Sequence, residues 1–270
     1  MRILISNDDG IAATGIKALI TRLSQEHDVY VVAPDRERSA AGHSLTLHTP
    51  LRVEELESQY GAKRVWVTSG TPGDCIKLGI CAVLGQGELP NIVISGINHG
   101  PNLGTDILYS GTVSCAMEGA MLDYPSIAVS LASMTNDPLY FDVTADFVAK
   151  FLTRIDKISF PKKTILNINT PALEEDDIAG VEITKLGTKM FTDNYEKRID
   201  PRGKVYYWMA GELTTKHEED GTDISAVRAN RISITPITFE MTHKSIMADL
   251  EKEFCKDGIC DWYGYGSNNS

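Results

Sequence analysis

Short apolar runs alternate along this chain with segments whose apolar positions recur every three or four residues. Ile3–Ile5, Val29–Ala33, Val65–Val67, Ile92–Ile94, Ile127–Val129 and Ile165–Ile168 read as buried strands. Ile16–Leu23, Ile76–Leu84, Val113–Leu122 and Phe147–Ile155 carry apolar residues at helical spacing. Asp74, ahead of the second of these, stands where an N-cap belongs. The first strand, helix and strand make a β-α-β unit, which predicts parallel strands joined by a right-handed crossover. Extended along the chain, the alternation predicts an α/β fold of Rossmann-like architecture. Its mostly parallel sheet is the middle layer of a three-layer sandwich, covered by helices on both faces. Leu45–His48 and Leu51–Glu54 suggest a short hairpin around Thr49 and Pro50.

The pattern changes near Glu182. From there to Ile237 the chain is more polar and rich in turn signals. Phe191–Arg198 and Val205–Met209 flank Asp200–Gly203, the pattern of a long β-hairpin. This stretch holds too little apolar material for a core of its own, so it reads as an arm that packs on the main body or on another subunit. A terminal helix is expected at Lys244–Phe254, followed by a loose tail. The whole chain, 1–270, is expected to be a single domain. It consists of an α/β core at 1–181, an extended arm at 182–237 and a C-terminal helix and tail at 238–270.

At 270 residues and 42% apolar content the chain can bury one full core. The net charge of −11 argues against a nucleic-acid coat or an anionic membrane surface as partner. It leaves room for a small phosphorylated ligand, which senses only the field of its own pocket. No apolar run approaches the ~18 residues that span a bilayer, and no secretory apolar region precedes the first strand. A cytoplasmic protein is expected. Cys75, Cys81, Cys115, Cys255 and Cys260 are odd in number and form no CxxC pair, so idle thiols fit better than a disulfide or zinc site, although Cys255 and Cys260 are close enough in sequence to pair if oxidised.

Three polar loops follow core strands and, in a parallel sheet, open on the same edge: Asn7–Gly10, Asp35–Ser44 and Gly96–Thr112. Asp8 and Asp9 are adjacent carboxylates directly after the first strand. A hard divalent cation between them relieves their repulsion, with neutral oxygens such as those of Ser39 and Asn98 completing a shell suited to Mg²⁺ or Mn²⁺. The competing reading is an ordinary turn, because NDDG is also good turn chemistry. Ser110, Gly111 and Thr112 stand at a helix start, where free N–H groups and the positive dipole end seat a phosphate. An N-cap is the plainer reading there. Asn102 in isolation is a turn residue. His43 is a candidate proton donor or else a surface histidine. Arg36 and Arg38 either draw in phosphate or are simply solvated, and His99 and His243 are read as structural. Together, a cation and a phosphate seat specify phosphoryl chemistry, with an aspartate positioning water or accepting its proton. No GxSxG elbow, Rossmann GxGxxG or P-loop lysine is present.

The segments ILISNDDG (Ile3–Gly10), VAPDRERSAAG (Val32–Gly42), GTPGDC (Gly70–Cys75), SGINHGPNLG (Ser95–Gly104) and YSGT (Tyr109–Thr112) together closely resemble the survival protein SurE family. The resemblance continues more weakly through Gly221–Ile224 and Ile232–Pro236. It implies a metal-dependent 5′/3′-nucleotidase, hydrolysing nucleoside 5′- and 3′-monophosphates, with short polyphosphate a further substrate of some members. It implies that Asp8 and Asp9 are catalytic and that Asp8, Asp9, Ser39 and Asn98 hold one divalent metal ion per subunit. It implies that Asn102, Ser110, Gly111 and Thr112 line the phosphate pocket. It also implies a homodimer or homotetramer in which the C-terminal arm is exchanged between subunits. Two other classes compete. A haloacid-dehalogenase-type phosphatase carries DxD after its first strand, whereas these carboxylates are adjacent. A receiver-like signalling module needs an aspartate at the end of its third strand, where this chain has Val67–Thr71 without one.

Overall fold

The computed structural model describes residues 1–38, 42–133, 140–188, 194–211 and 219–254. Strand β1 (Arg2–Ser6), helix α1 (Thr14–Leu23) and strand β2 (Asp28–Pro34) form the expected β-α-β unit, with β1 and β2 parallel. Strand β3 (Val53–Leu56) lies antiparallel to β4 (Arg64–Thr68), and β4 is parallel to β2. The hairpin expected around Thr49 and Pro50 does not form. Residues 44–46 are instead fastened to the start of helix α2 (Pro72–Leu78), where Thr71 Oγ1 donates to the Ser44 carbonyl (2.7 Å) and Thr46 N–H to Asp74 (3.1 Å). Thr71, not Asp74, is the N-cap of α2, and Asp74 closes the capping box from the third helical position. Gly79–Val83 continues as a π turn, so the apolar run to Leu84 is only partly regular helix.

Strand β5 (Ile92–His99), helix α3 (Gly111–Met121), strand β6 (Ser126–Ala132), helix α4 (Phe141–Leu152) and strand β7 (Thr164–Pro171) complete the parallel core. Beyond it come β8 (Val181–Ile183), β9 (Tyr195–Ile199), β10 (Val205–Met209), helix α5 (Asp223–Arg228) and β11 (Ile232–Thr238). The nine-stranded sheet runs β3-β4-β2-β1-β5-β6-β7-β11-β8, with β9 and β10 paired separately. Strand β11 is antiparallel to β7 and carries β8 beside it. The segment read as an arm therefore adds two strands to the main sheet, because alternate residues Ile232 and Ile234 are buried in the core. Among the described residues of this segment, β9 and β10 pair with each other and not with the main sheet.

Both sheet faces are covered, and alternation along single strands sorts the core into its two halves. Ile3, Ile5, Val29, Val31, Ile92 and Ile94 pack with apolar residues of α1 and α4. Leu4, Tyr30, Val32 and Val93 pack on the other face with Ile76 of α2 and Cys115 of α3. The three-layer α/β architecture follows from strands whose consecutive apolar runs, such as Ile3–Ile5, Val29–Ala33 and Ile92–Ile94, must be covered on both faces.

The chain divides into two units, Met1–Thr238 and Phe239–Ser270. Helix α6 (Lys244–Phe254), the expected terminal helix, belongs to the second, with Ile246, Met247, Leu250 and Phe254 exposed along one side of it. Cys255 and Cys260 lie outside the described residues.

Candidate active site

The sheet order places the site. From β1 the chain winds outward through β2 and β4, then returns to β5 on the other side of β1 and winds through β6 and β7. The crevice between the carboxyl ends of β1 and β5 is the topological switch point, where α/β sheets bind ligands. Asp8 and Asp9 follow β1 after a single residue, Asn7, and Asn98 and His99 are the last residues of β5.

The turn after β1 is fixed by Asn7, whose Nδ2 donates to the Gly10 carbonyl (3.0 Å). Asp8 and Asp9 then make contacts on different sides of the strand end. The Asp8 carboxylate lies at the first turn of α3, where it accepts the Thr112 hydroxyl hydrogen and its charge is favoured by the nearby backbone of Gly111 and Thr112. A Cβ on residue 111 would sit 2.6 Å from the Asp8 Cβ, so only glycine allows this approach. Burial pushes the Asp8 carboxyl up, against those hydrogen bonds. Asp9 Oδ2 accepts the His99 N–H (3.2 Å). Its carboxyl is raised to about 6, first by burial and then by the charge of Asp8. Among the described residues no lysine or arginine forms an ion pair with either carboxylate. Two adjacent like charges, one buried and one half-buried, match a site built for a cation.

Asn98 supplies a neutral oxygen at the same strand end. Its Nδ2 donates to the Gly100 carbonyl (2.9 Å), which commits the nitrogen of the carboxamide and turns the other end, the oxygen, to the role a hard cation needs. A register irregularity between Ser95 and Asn98 re-aims the end of β5 just there. Ser39 lies outside the described residues. The chain entering that segment is tied to the site by Arg38 N–H on the Asp8 carbonyl (2.7 Å), and the chain leaving it by Gly42 N–H on the Tyr109 carbonyl (3.3 Å).

Ser110 is the N-cap of α3, its Oγ accepting the Val113 N–H at 3.0 Å. The helix start expected to seat phosphate thus already holds one carboxylate, that of Asp8. Asn102 is built into a buried polar lattice. Its N–H donates to Asn169 Oδ1 (2.9 Å) and its Nδ2 to Ser130 Oγ (2.8 Å), while its carbonyl accepts Asn167 Nδ2 (2.8 Å). It is anchored on β6 and β7 and makes no hydrogen bond to either aspartate.

His43 does not point at the aspartates. Its Nε2 is 2.8 Å from Oε1 of Glu118, a buried carboxylate two turns along α3, and Lys77 Nζ reaches Oε2 of the same group (2.9 Å). Arg38 bonds the Ser69 carbonyl (2.6 Å) and Arg36 is highly exposed. His99, read as structural, lines a cavity against Asp9 together with Glu37. Nothing in the spacing of single residues signals either group, because sheet topology brings β5 and the β2 loop beside β1. Buried Cys115 is pushed up to about 12 by burial, which fits an unreactive core thiol.

The survival protein SurE family model matches residues 3–193. The chain is 49% identical over 256 residues to a 5′-nucleotidase SurE of Thermosynechococcus vestitus, covering 93% of this chain and 95% of the relative. It is 47% identical over 269 residues to a 5′-nucleotidase SurE of Heliobacterium modesticaldum, covering 99% and 94%. The crystal structure of a SurE protein from Aquifex aeolicus superposes with a TM-score of 0.81 at 39% identity, covering 93% of this chain and 98% of that one.

Proposed function

Starting from the survival protein SurE family, to which this chain belongs, we propose that it is a metal-dependent phosphomonoesterase that hydrolyses nucleoside 5′- and 3′-monophosphates to nucleoside and phosphate. One observation carries the reading: two adjacent carboxylates at the switch point, Asp9 half-buried and Asp8 buried against the N-terminus of a helix. Asp8, Asp9 and Asn98, with Ser39, are the residues that would hold a divalent cation, Mg²⁺ or Mn²⁺, one per subunit. All offer hard oxygen donors. When bound, such a cation supplies Lewis-acid polarisation of a phosphoryl oxygen.

The chain supplies the rest. The first turn of α3 aims N–H groups and the Thr112 hydroxyl at the place where negative charge gathers, which favours a phosphoryl group in its trigonal-bipyramidal state. Asn102, Ser110, Gly111 and Thr112 form the phosphate side. A carboxylate oxygen of the acidic pair orients a water molecule and takes its proton. The water oxygen bonds to phosphorus as the ester P–O bond breaks, and the departing nucleoside oxygen takes up a proton. No aspartyl-phosphate is needed, since water is the nucleophile and the adjacent carboxylates would hold the cation and take the water proton.

We further propose a homodimer or homotetramer in the cytoplasm. The β9–β10 ribbon supports the first part: Tyr195, Ile199, Val205, Tyr207 and Met209 fall on one face of it and all are exposed. The absence of a disulfide among Cys75, Cys81 and Cys115 fits the second. Among the described residues no helix is long and apolar enough to cross a membrane.

Phosphate release from nucleoside 5′- and 3′-monophosphates, after chelation and then with Mg²⁺ or Mn²⁺ restored, tests the reading. Turnover that returns only with the metal is expected. Turnover indifferent to chelation, or none on any monophosphate, overturns it.

A further inference from the structure

We propose that Asp223, in the segment Gly221–Ile224, is a positioning residue for the phosphate side of the site: its carboxylate fixes the loop that runs from Asn102 to Ser110. This rests on the phosphomonoesterase reading above and adds to it what holds the phosphate side in place.

Asp223 is the first residue of α5 and is fully buried. A carboxylate in such a place is costly unless hydrogen-bond donors surround it. Here main-chain N–H groups from separate parts of the chain supply them. Oδ2 accepts the Gly104 N–H (2.8 Å), and Oδ1 accepts the N–H groups of Gly187 (2.7 Å) and Ile224 (2.9 Å). An ionised carboxylate accepts at both of its oxygens, so it joins two loops where an asparagine of the same size could serve only one.

The joined loops are the one after β5 and the one after β8. Thr105 N–H on the Thr188 carbonyl (3.0 Å) reinforces their contact. Leu103 and Ile224 pack together beside it in a small apolar cluster. The start of α5 is tied in turn to the chain after β8. Asp223 N–H bonds the Lys185 carbonyl (2.9 Å), and Lys185 N–H bonds the Gly221 carbonyl (3.0 Å). Asp223 thus stands at the centre of a bracket built by the segment after Glu182.

The bracket grips the loop where it shapes the site. Two residues before Gly104, Asn102 is anchored on β6 and β7 through Ser130, Asn167 and Asn169. From Gly104 a short 3₁₀ helix, Gly104–Leu108, leads through Tyr109 to Ser110, the N-cap of α3. Ser110 N–H bonds the Ile107 carbonyl (3.3 Å), which carries the turn into the helix start. The path from Asn102 to Ser110 therefore begins at two fixed points, the β7 asparagines and Asp223. Releasing Gly104 frees the turn to shift, and the groups of the phosphate side with it. Asp8 and Asp9 keep their own bonds to Thr112 and His99.

The test measures the inhibition constant of inorganic phosphate against AMP hydrolysis, Mn²⁺ binding by equilibrium dialysis and the urea midpoint. It compares the wild type with Asp223→Asn, Gly104→Ala and Thr222→Ala. Asp223→Asn keeps the side-chain volume and sets an NH₂ donor against a main-chain N–H. The phosphate constant is expected to rise about tenfold, the weight of a hydrogen bond to a charged group. The Mn²⁺ Kd is expected to stay within about twofold, as for a site that shares no partner with the altered one. Gly104→Ala presses on the same contact from the loop side. Its methyl would meet the Thr188 and Gly187 carbonyls at 3.1 and 3.2 Å, at a φ of +54°. It should move the phosphate constant in the same direction, and it carries the test alone if Asp223→Asn does not fold. Thr222→Ala removes the N-cap of α5, whose Oγ1 accepts the Ser225 N–H (3.2 Å). It should lower the urea midpoint and leave the phosphate constant unchanged. A phosphate constant unmoved in folded Asp223→Asn or in Gly104→Ala, or moved equally by Thr222→Ala, overturns the positioning role. Wild-type turnover of AMP then leaves the phosphomonoesterase reading standing, and a wild type that does not hydrolyse AMP overturns both.

Discussion

Thr112 donates its hydroxyl hydrogen to the carboxylate of Asp8, across 104 positions of chain. The contact joins the end of the first strand to the start of α3, and it fixes which way one member of the acidic pair faces. Thr112→Val keeps the shape and removes the donor. We expect kcat/KM for nucleoside monophosphates to fall about 10- to 100-fold, the weight of a hydrogen bond to a charged group, with the far-ultraviolet circular dichroism unchanged.

Gly111→Ala tests the close approach of α3 to Asp8. The added methyl would meet the Asp8 Cβ at 2.6 Å, so close that one of the two residues must shift. The expected cost is about 1–3 kcal/mol of stability, as for other overpacked sites. Activity should fall by more than the stability loss accounts for, because relief comes by displacing Asp8. A urea titration alongside steady-state kinetics separates the two effects.

Glu118 predicts an acid limit on stability. Its carboxyl is held below the ordinary 4.5, chiefly by the hydrogen bond from His43 and also by Lys77, against the cost of burial. A depressed value in the folded state means that the ionised form stabilises the fold. That stability is fully present above pH about 4.5 and is lost as pH falls through the lower folded-state value. The urea midpoint of Glu118→Gln should therefore lie below that of the wild type near pH 6, and the gap should close near pH 3. A gap that widens on acidification would contradict the assignment.

The β9–β10 ribbon predicts an assembly. A two-stranded ribbon exposed on both faces is marginal on its own, and Tyr207 and Met209 are 59% and 68% exposed on its apolar face. Tyr207→Glu with Met209→Glu should shift the protein to a smaller species in sedimentation velocity without unfolding the α/β core. An unchanged sedimentation coefficient would place the subunit contact elsewhere.

The parallel core was legible in the sequence because its central strands β1, β2 and β5 carry runs of consecutive apolar residues. Ile3, Leu4 and Ile5 are all fully buried, as a strand covered on both faces requires. Strand β11 was harder to assign. Pro236 and its threonines and serine look like polar arm, yet Ile232 and Ile234 fill the core and Ser233 and Thr235 bond Thr184 across the buried sheet edge. The absent hairpin at 45–54 has the opposite cause: Leu47 is 79% exposed, and side-chain bonds to Thr71 and Asp74 hold the segment where a ladder would otherwise form. In the site, Asp8 and Asp9 stood out as adjacent charges after a buried strand. Glu37, His99 and Glu118 did not, because each gains its meaning only from a neighbour that the sheet order brings near.

The most direct measurement is kcat/KM of Asp8→Asn for AMP with saturating Mn²⁺, with circular dichroism on the same sample. The substitution keeps the size of the side chain and removes the charge that α3 engages and that the proposed cation would engage. A loss of about 10³-fold or more in a folded protein is predicted. A folded Asp8→Asn protein within tenfold of wild type, still dependent on the metal, would contradict the assignment of the site.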